Sequence, residues 1–222
     1  MSLSFRIPSL LAAILSAVGI APESPQDAAK VLLDKLREQR AQFPAMTADF
    51  AEERVTRLLK KPIRGSGTIA FQAPNKFRRE LKGSSPSLTV CNGAELWIYY
   101  PNFKEAEHYT VGQKQFFDDS LAALTAGLNF QDLERFFRVS PSRDGTGWRF
   151  VLTPKSSGLR RLLTSLTVQL NTDGIVERTE ALLPKGDRVT TTYKNVRFAK
   201  KVDAGFDFRP PADAHVSRPL GD

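Results

Sequence analysis

From Ala45 onward the chain alternates apolar and polar residues with a period of two, and it returns to that pattern almost to its end. Met46, Ala48 and Phe50 fall on one side of the first such stretch, Thr47, Asp49 and Ala51 on the other. Alternation of this kind marks strands with one face on a core and one in water. It predicts further strands at 68–71, 76–81, 88–91, 96–100, 147–153, 165–170, 175–183, 189–198 and 204–208, separated by turn-forming stretches such as 83–87 and 171–174. Two regions carry a helical period instead. Ala28, Val31, Leu32, Leu36 and Gln39 trace a stripe that Ser24 or Asp27 caps and Pro44 stops, and 116–139 reads as one or two helices. In the second region Leu121, Leu124 and Leu128 form one stripe and Leu133, Phe136 and Phe137 another.

The stretch 90–101 breaks the rule. Asn92-Gly93 predicts a type I′ hairpin turn, and Leu96-Trp97-Ile98-Tyr99-Tyr100 follows as a strand apolar on both faces. One face meets a core; the other needs a helix, a partner or a lipid. Either Leu96 and Ile98 or Trp97 and Tyr99 look inward. A long antiparallel meander of this kind tends to curl, and helices over its concave side enclose either a cavity or a core.

Composition narrows the function. Arg6, the apolar run 7–21 and the small residues Ala17, Gly19 and Ala21 predict a signal peptide over 1–21, leaving one domain over 22–222 and a periplasmic location. The single Cys91 allows no internal disulfide. With 32 Lys+Arg against 24 Asp+Glu the charge is +8. The basic pairs are scattered, which points to anionic headgroups or acidic proteins rather than nucleic acid. Fifteen Phe against 4 Tyr and 2 Trp place mostly handle-free rings inside. His108 and His215 are the only histidines, and no nucleophile elbow, phosphate loop or metal-ligand cluster occurs. Glu52-Glu53 point to opposite faces of a strand. An enzyme is therefore not expected, and neither is a cofactor or a metal.

Several segments together resemble the LolA family of periplasmic lipoprotein carriers. They are Met46-x-Ala48-x-Phe50, Gly67-x-Ile69-x-Phe71-x-x-Pro74-x-x-Phe77, Val90-x-Asn92-Gly93-x-x-Leu96-Trp97-Ile98-Tyr99-x-Pro101, Phe150-Val151-Leu152-Thr153-Pro154-Lys155 and Phe206-x-Phe208-x-Pro210-Pro211. The resemblance implies an α+β fold, an open and incomplete antiparallel β-barrel whose helices cover the concave side as a lid. It implies a monomer whose cavity takes the acyl chains of a lipoprotein, received from an inner-membrane ABC transporter and passed to an outer-membrane acceptor lipoprotein. Cavity-lining residues are then Met46, Phe50, Ile69, Phe71, Phe77, Leu96, Trp97, Ile98, Phe150 and Leu152, with the lid at Leu121, Leu124, Leu128, Leu133, Phe136 and Phe137. Relatives place an arginine before the proline matching Pro74, where it latches the lid. Here that residue is Ala73, with Arg78 and Arg79 as stand-ins. The alternatives are a carrier of another amphiphile, a glycolipid or polyene lipid, and an envelope-stress sensor.

Overall fold

The alternating segments pair into one sheet because each buries a single apolar face. The computed structural model describes residues 25–112, 130 and 133–219. The expected signal peptide and Leu121, Leu124 and Leu128 lie outside the described residues. The strands are β1 (Ala45–Val55), β2 (Ile63–Gln72), β3 (Lys76–Gly83), β4 (Ser87–Asn92), β5 (Glu95–Tyr100) and β6 (Glu105–Thr110). They continue as β7 (Phe137–Asp144), β8 (Gly147–Pro154), β9 (Ser165–Leu170), β10 (Val176–Leu182), β11 (Arg188–Ala199) and β12 (His215–Ser217). Their spatial order is β12-β6-β5-β4-β3-β2-β1-β11-β10-β9-β8-β7, antiparallel except where β12 joins β6, and the sheet does not close.

Two irregularities bend the sheet between its halves. β11 carries an extra residue opposite Thr47–Asp49 on β1, with Asn195 at φ +52°, and β10 carries one opposite Gln169–Leu170 on β9. A bulge sharpens local twist and turns the strand that holds it. The consequence is large. Thr89 on β4 and Leu166 on β9 are six strand steps apart, about 29 Å in a flat sheet at about 4.8 Å per step, yet both line one cavity.

Helices α1 (Pro25–Gln42), α2 (Leu133–Phe136) and α3 (Ser157–Leu162) lie on the half made by β7–β10. Helix α1 buries Ala29, Leu33, Leu36 and Arg40, one residue round from the expected stripe, and leaves Val31 60% exposed. With Leu32 and Leu33 adjacent, sequence spacing left two faces open; Gly174, at φ +76° in the 171–175 turn, settles it by giving Leu36 room for contact. Phe137 is not a helix residue. It opens β7 and is buried opposite Pro154, because alternation resumes there with Phe137, Val139 and Pro141 on one face.

The hairpin at Asn92-Gly93 forms with a different turn. Only Gly93 has a positive φ, +103°, while the Asn92 side chain accepts from the backbone N–H of Ala94 at 2.9 Å and Glu95 at 2.8 Å. The expected strand over 204–208 is likewise not a strand. Residues 201–211 run without ladder pairing across the outer face of β1–β6, with Val202, Ala204, Phe206, Phe208 and Pro210 the less exposed positions of an alternating pattern. Val202 N–H donates to Gln72 and Arg78 donates to the Gly205 carbonyl at 3.0 Å, so the tail takes side-chain bonds in place of a ladder.

Candidate functional site

The register fixes which residues share the concave face. Met46, Ala48, Phe50 and Glu52 on β1 stand opposite Phe71, Ile69, Gly67 and Gly65 on β2, followed by Phe77 and Arg79, Cys91 and Thr89, Leu96 and Ile98. Met46, Ala48, Phe50, Ile69, Phe71, Phe77, Cys91 and Leu96 form one buried cluster, with Ile98 packed on its margin. Phe150 and Leu152 face the same side but belong to a second cluster, filled by α1, Phe130, Leu133 and Leu159. Phe136 packs on that second cluster too.

Trp97 is corrected: it points to the outer face. It stacks on His108 at 4.2 Å and meets the edge of Phe208 at 6.3 Å, and Tyr99 lies 5.8 Å from Phe208. The second greasy face of β5 is thus covered by the chain's own tail.

Where the two halves of the curled sheet face each other lies a cavity of about 300 Å³. Ile69, Phe77 and Thr89 form one wall, Leu166, Ala181, Val189 and Tyr193 the other. Its polar groups are Glu52, Arg79, Thr179 and Thr191. Gly65 and Gly67 give β2 no inner side chain there; a Cβ on Gly67 would sit 1.7 Å from the Glu80 carbonyl oxygen and 3.1 Å from the Phe50 ring. Arg79 donates to Glu52 and lies 4.4 Å over the Phe50 ring, so its charge is neutralised inside the hollow. Burial raises the Tyr193 phenol above its ordinary pKa, keeping it neutral, with its hydroxyl 3.5 Å from Thr179.

Of the latch positions, only Arg79 faces inward among the charged pair. Arg78 is on the outer face, bonded to the tail, and Ala73 closes β2 with its N–H donating to the Pro44 carbonyl at 2.8 Å. Sequence reasoning missed Arg40. It is 7% exposed, lies 3.6 Å over Phe198, and its Nε and Nη1 have no hydrogen-bond partner among the described residues. Burial pushes it down to about 10, so it stays charged at neutral pH. The signal was an arginine on the helical stripe, four residues beyond Leu36. Missed too were Glu52, Thr89, Leu166, Thr179, Ala181, Val189, Thr191 and Tyr193. Among the described residues no group of three His, Cys, Asp or Glu is placed to hold a metal.

The fold is thus a half-barrel, a curled and unclosed antiparallel sheet with a hollow between its halves. The profile described as Outer membrane lipoprotein carrier protein LolA matches residues 41–209, and the chain belongs to that family. An outer-membrane lipoprotein carrier protein of Dechloromonas aromatica is 31% identical over 83% of this chain and 86% of its own. One from Bordetella avium is 27% identical over 93% of each. Among solved structures, an uncharacterized conserved protein from Thermus thermophilus aligns with TM-score 0.49 and 17% identity, covering 86% of this chain and 99% of that one. A LolA superfamily protein from Nitrosomonas europaea aligns with TM-score 0.42 and 10% identity, over 81% and 97%.

Proposed function

We propose that the protein is a periplasmic carrier that shelters lipoprotein acyl chains in the hollow between its two sheet halves, and ferries them from an inner-membrane ABC transporter to an outer-membrane acceptor. The observation that carries this reading is the cavity walled by Ile69 and Phe77 on one side and Leu166 and Ala181 on the other. Each CH₂ withdrawn from water is worth about 0.8 kcal/mol, so a sixteen-carbon chain holds roughly 12 kcal/mol against free passage through an aqueous gap. A binding protein removes that barrier by covering the chain throughout.

At about 300 Å³ the hollow stands at the low end of ligand sites, which span about 300–1,000 Å³. Loading several acyl chains therefore parts the walls, and the open sheet permits it because its edge strands, β12 and β7, are not paired with each other among the described residues. The Glu52–Arg79 pair is the charged part of the lining, beside the threonines and Tyr193, and suits the polar backbone of a lipopeptide better than a pure hydrocarbon. Native mass spectrometry of the protein with a triacylated lipopeptide tests the reading. A one-to-one adduct is expected, lost in Ile69→Glu when circular dichroism shows that variant folded. Equal adduct from the deacylated peptide contradicts it.

A further inference from the structure

The two ends of the half-barrel differ in kind. At one end emerge the connections 56–62, 84–86, 101–104, 155–164 and 183–187. Of the eight large apolar side chains exposed on the described surface, five sit there: Val55 at 45%, Leu58 at 91%, Leu59 at 51%, Phe103 at 73% and Leu162 at 36%. These connections hold eight cations, among them Arg57, Lys60, Lys61 and Lys185, against one acid, Asp187, and the tail adds Asp213, paired with Lys104 at 2.7 Å. The hairpin loops at the opposite end, 73–75, 93–94, 145–146 and 171–175, hold no cation and one acid, Asp173; Lys200 and Lys201 after β11 are the nearby cations.

The 56–62 tip is built to hold its leucines outward. Leu58 N–H donates to Thr56 Oγ1 at 3.4 Å and Leu59 N–H to the Thr56 carbonyl at 3.3 Å. Asp187 braces the loop from the neighbouring 183–187 connection, accepting from Arg54 at 3.4 Å, from the Thr56 side chain and from the Arg57 backbone. Exposing two leucines in water is unfavourable, and a bonded turn that fixes them there suits a surface that receives them.

We infer that this rim docks on the anionic surface of a phospholipid bilayer, with Leu58 and Leu59 entering the headgroup layer and Lys60 and Lys61 pairing with phosphates. Single apolar tips on separate loops ringed by cations fit a deformable lipid interface; a protein partner is met by one continuous face. One wall of the cavity reaches this rim: Leu166, Ala181 and Val189 are each two residues from these connections, whereas Phe77 on the other wall is two residues from the 73–75 loop at the far end. Docking itself stands without the carrier reading; only its purpose, bringing the hollow to the lipid, rests on it.

Vesicle co-sedimentation of the full chain tests the inference. The protein is expected to pellet with phosphatidylcholine vesicles containing phosphatidylglycerol, far less with phosphatidylcholine alone, and less as salt rises. Lys60→Glu with Lys61→Glu weakens that binding at least tenfold, since each cation near such a surface gives roughly fivefold. Leu58→Glu with Leu59→Glu does likewise, while Lys200→Glu with Lys201→Glu leaves binding within about threefold of the unaltered chain. The inference is overturned by equal loss in the Lys200 and Lys201 control, by equal binding to neutral vesicles, or by binding only when a membrane protein is reconstituted with the lipid. Lipopeptide binding in solution stays unchanged in the rim variants, so a failure of the carrier reading shows separately.

Discussion

The two halves of the sheet share one strand pattern and reach opposite ends. Over β7–β10, Ala29, Leu33 and Leu36 of α1, Leu133 of α2 and Leu159 of α3 fill the face against Trp148, Phe150, Leu152 and Val168. Over β1–β5 the buried cluster consists, among the described residues, of strand residues alone, and beside it lies the cavity. Alternation tells which residues leave water. It does not tell whether a side chain or a ligand takes the space beyond them.

That contrast breaks most sharply at two phenylalanines. Phe150 is 0% exposed in the filled half, and Phe150→Ala is expected to lower unfolding free energy by about 3–5 kcal/mol with lipopeptide affinity nearly intact. Phe77 is buried as well, at 1% exposed, but it also lines the cavity. Phe77→Ala is expected to cost about 3–5 kcal/mol too, measured by urea titration, and, unlike Phe150→Ala, to weaken lipopeptide binding. Lipopeptide affinity falling equally in both variants would show that the halves do not differ in this way.

Arg40 sharpens the comparison from the other sign. A buried cation whose Nε and Nη1 find no partner among the described residues is a cost to folding, partly offset by the Phe198 ring. Arg40→Met is expected to raise stability by about 1 kcal/mol, seen as a higher Tm, and a fall would mean the guanidinium has a stabilising partner.

The smallest effect is at Asp144. Hydrogen bonds from Gln169 and Arg149 hold its carboxyl below the usual carboxylate range. A depressed carboxylate adds stability at neutral pH and loses it as pH falls from the unfolded value through the folded one. The gap between the unaltered chain and Asp144→Asn should therefore close on acidification, while the cavity half shows no such dependence from this group.

Much of this was legible from the residues. The alternation at Met46–Phe50 and at 165–170 placed the strands, and at Met46–Phe50 it marked the face that the register turns inward. The face of β5 was not legible, because Leu96-Trp97-Ile98-Tyr99 is apolar both ways and the residue that decides, Phe208, belongs to a tail whose own alternation mimics a strand. β6 escaped because its buried residue is Ala106, too small to mark a period among Glu105, Glu107 and His108. The far wall of the cavity escaped for a geometric reason. Leu166 shares a cavity with Thr89 through the curl of the sheet, to which two bulges contribute, and a lone Asn195 in a polar stretch does not announce one.

A photoreactive group at the acyl terminus of a lipopeptide, cross-linked to the protein and mapped by mass spectrometry, asks where the hydrocarbon goes. Labels at Ile69, Phe77, Leu166 or Ala181 are the result expected from a hollow between two sheet walls. Labels confined to the outer face around Trp97 and Phe208, or to the filled half around Phe150, would contradict it.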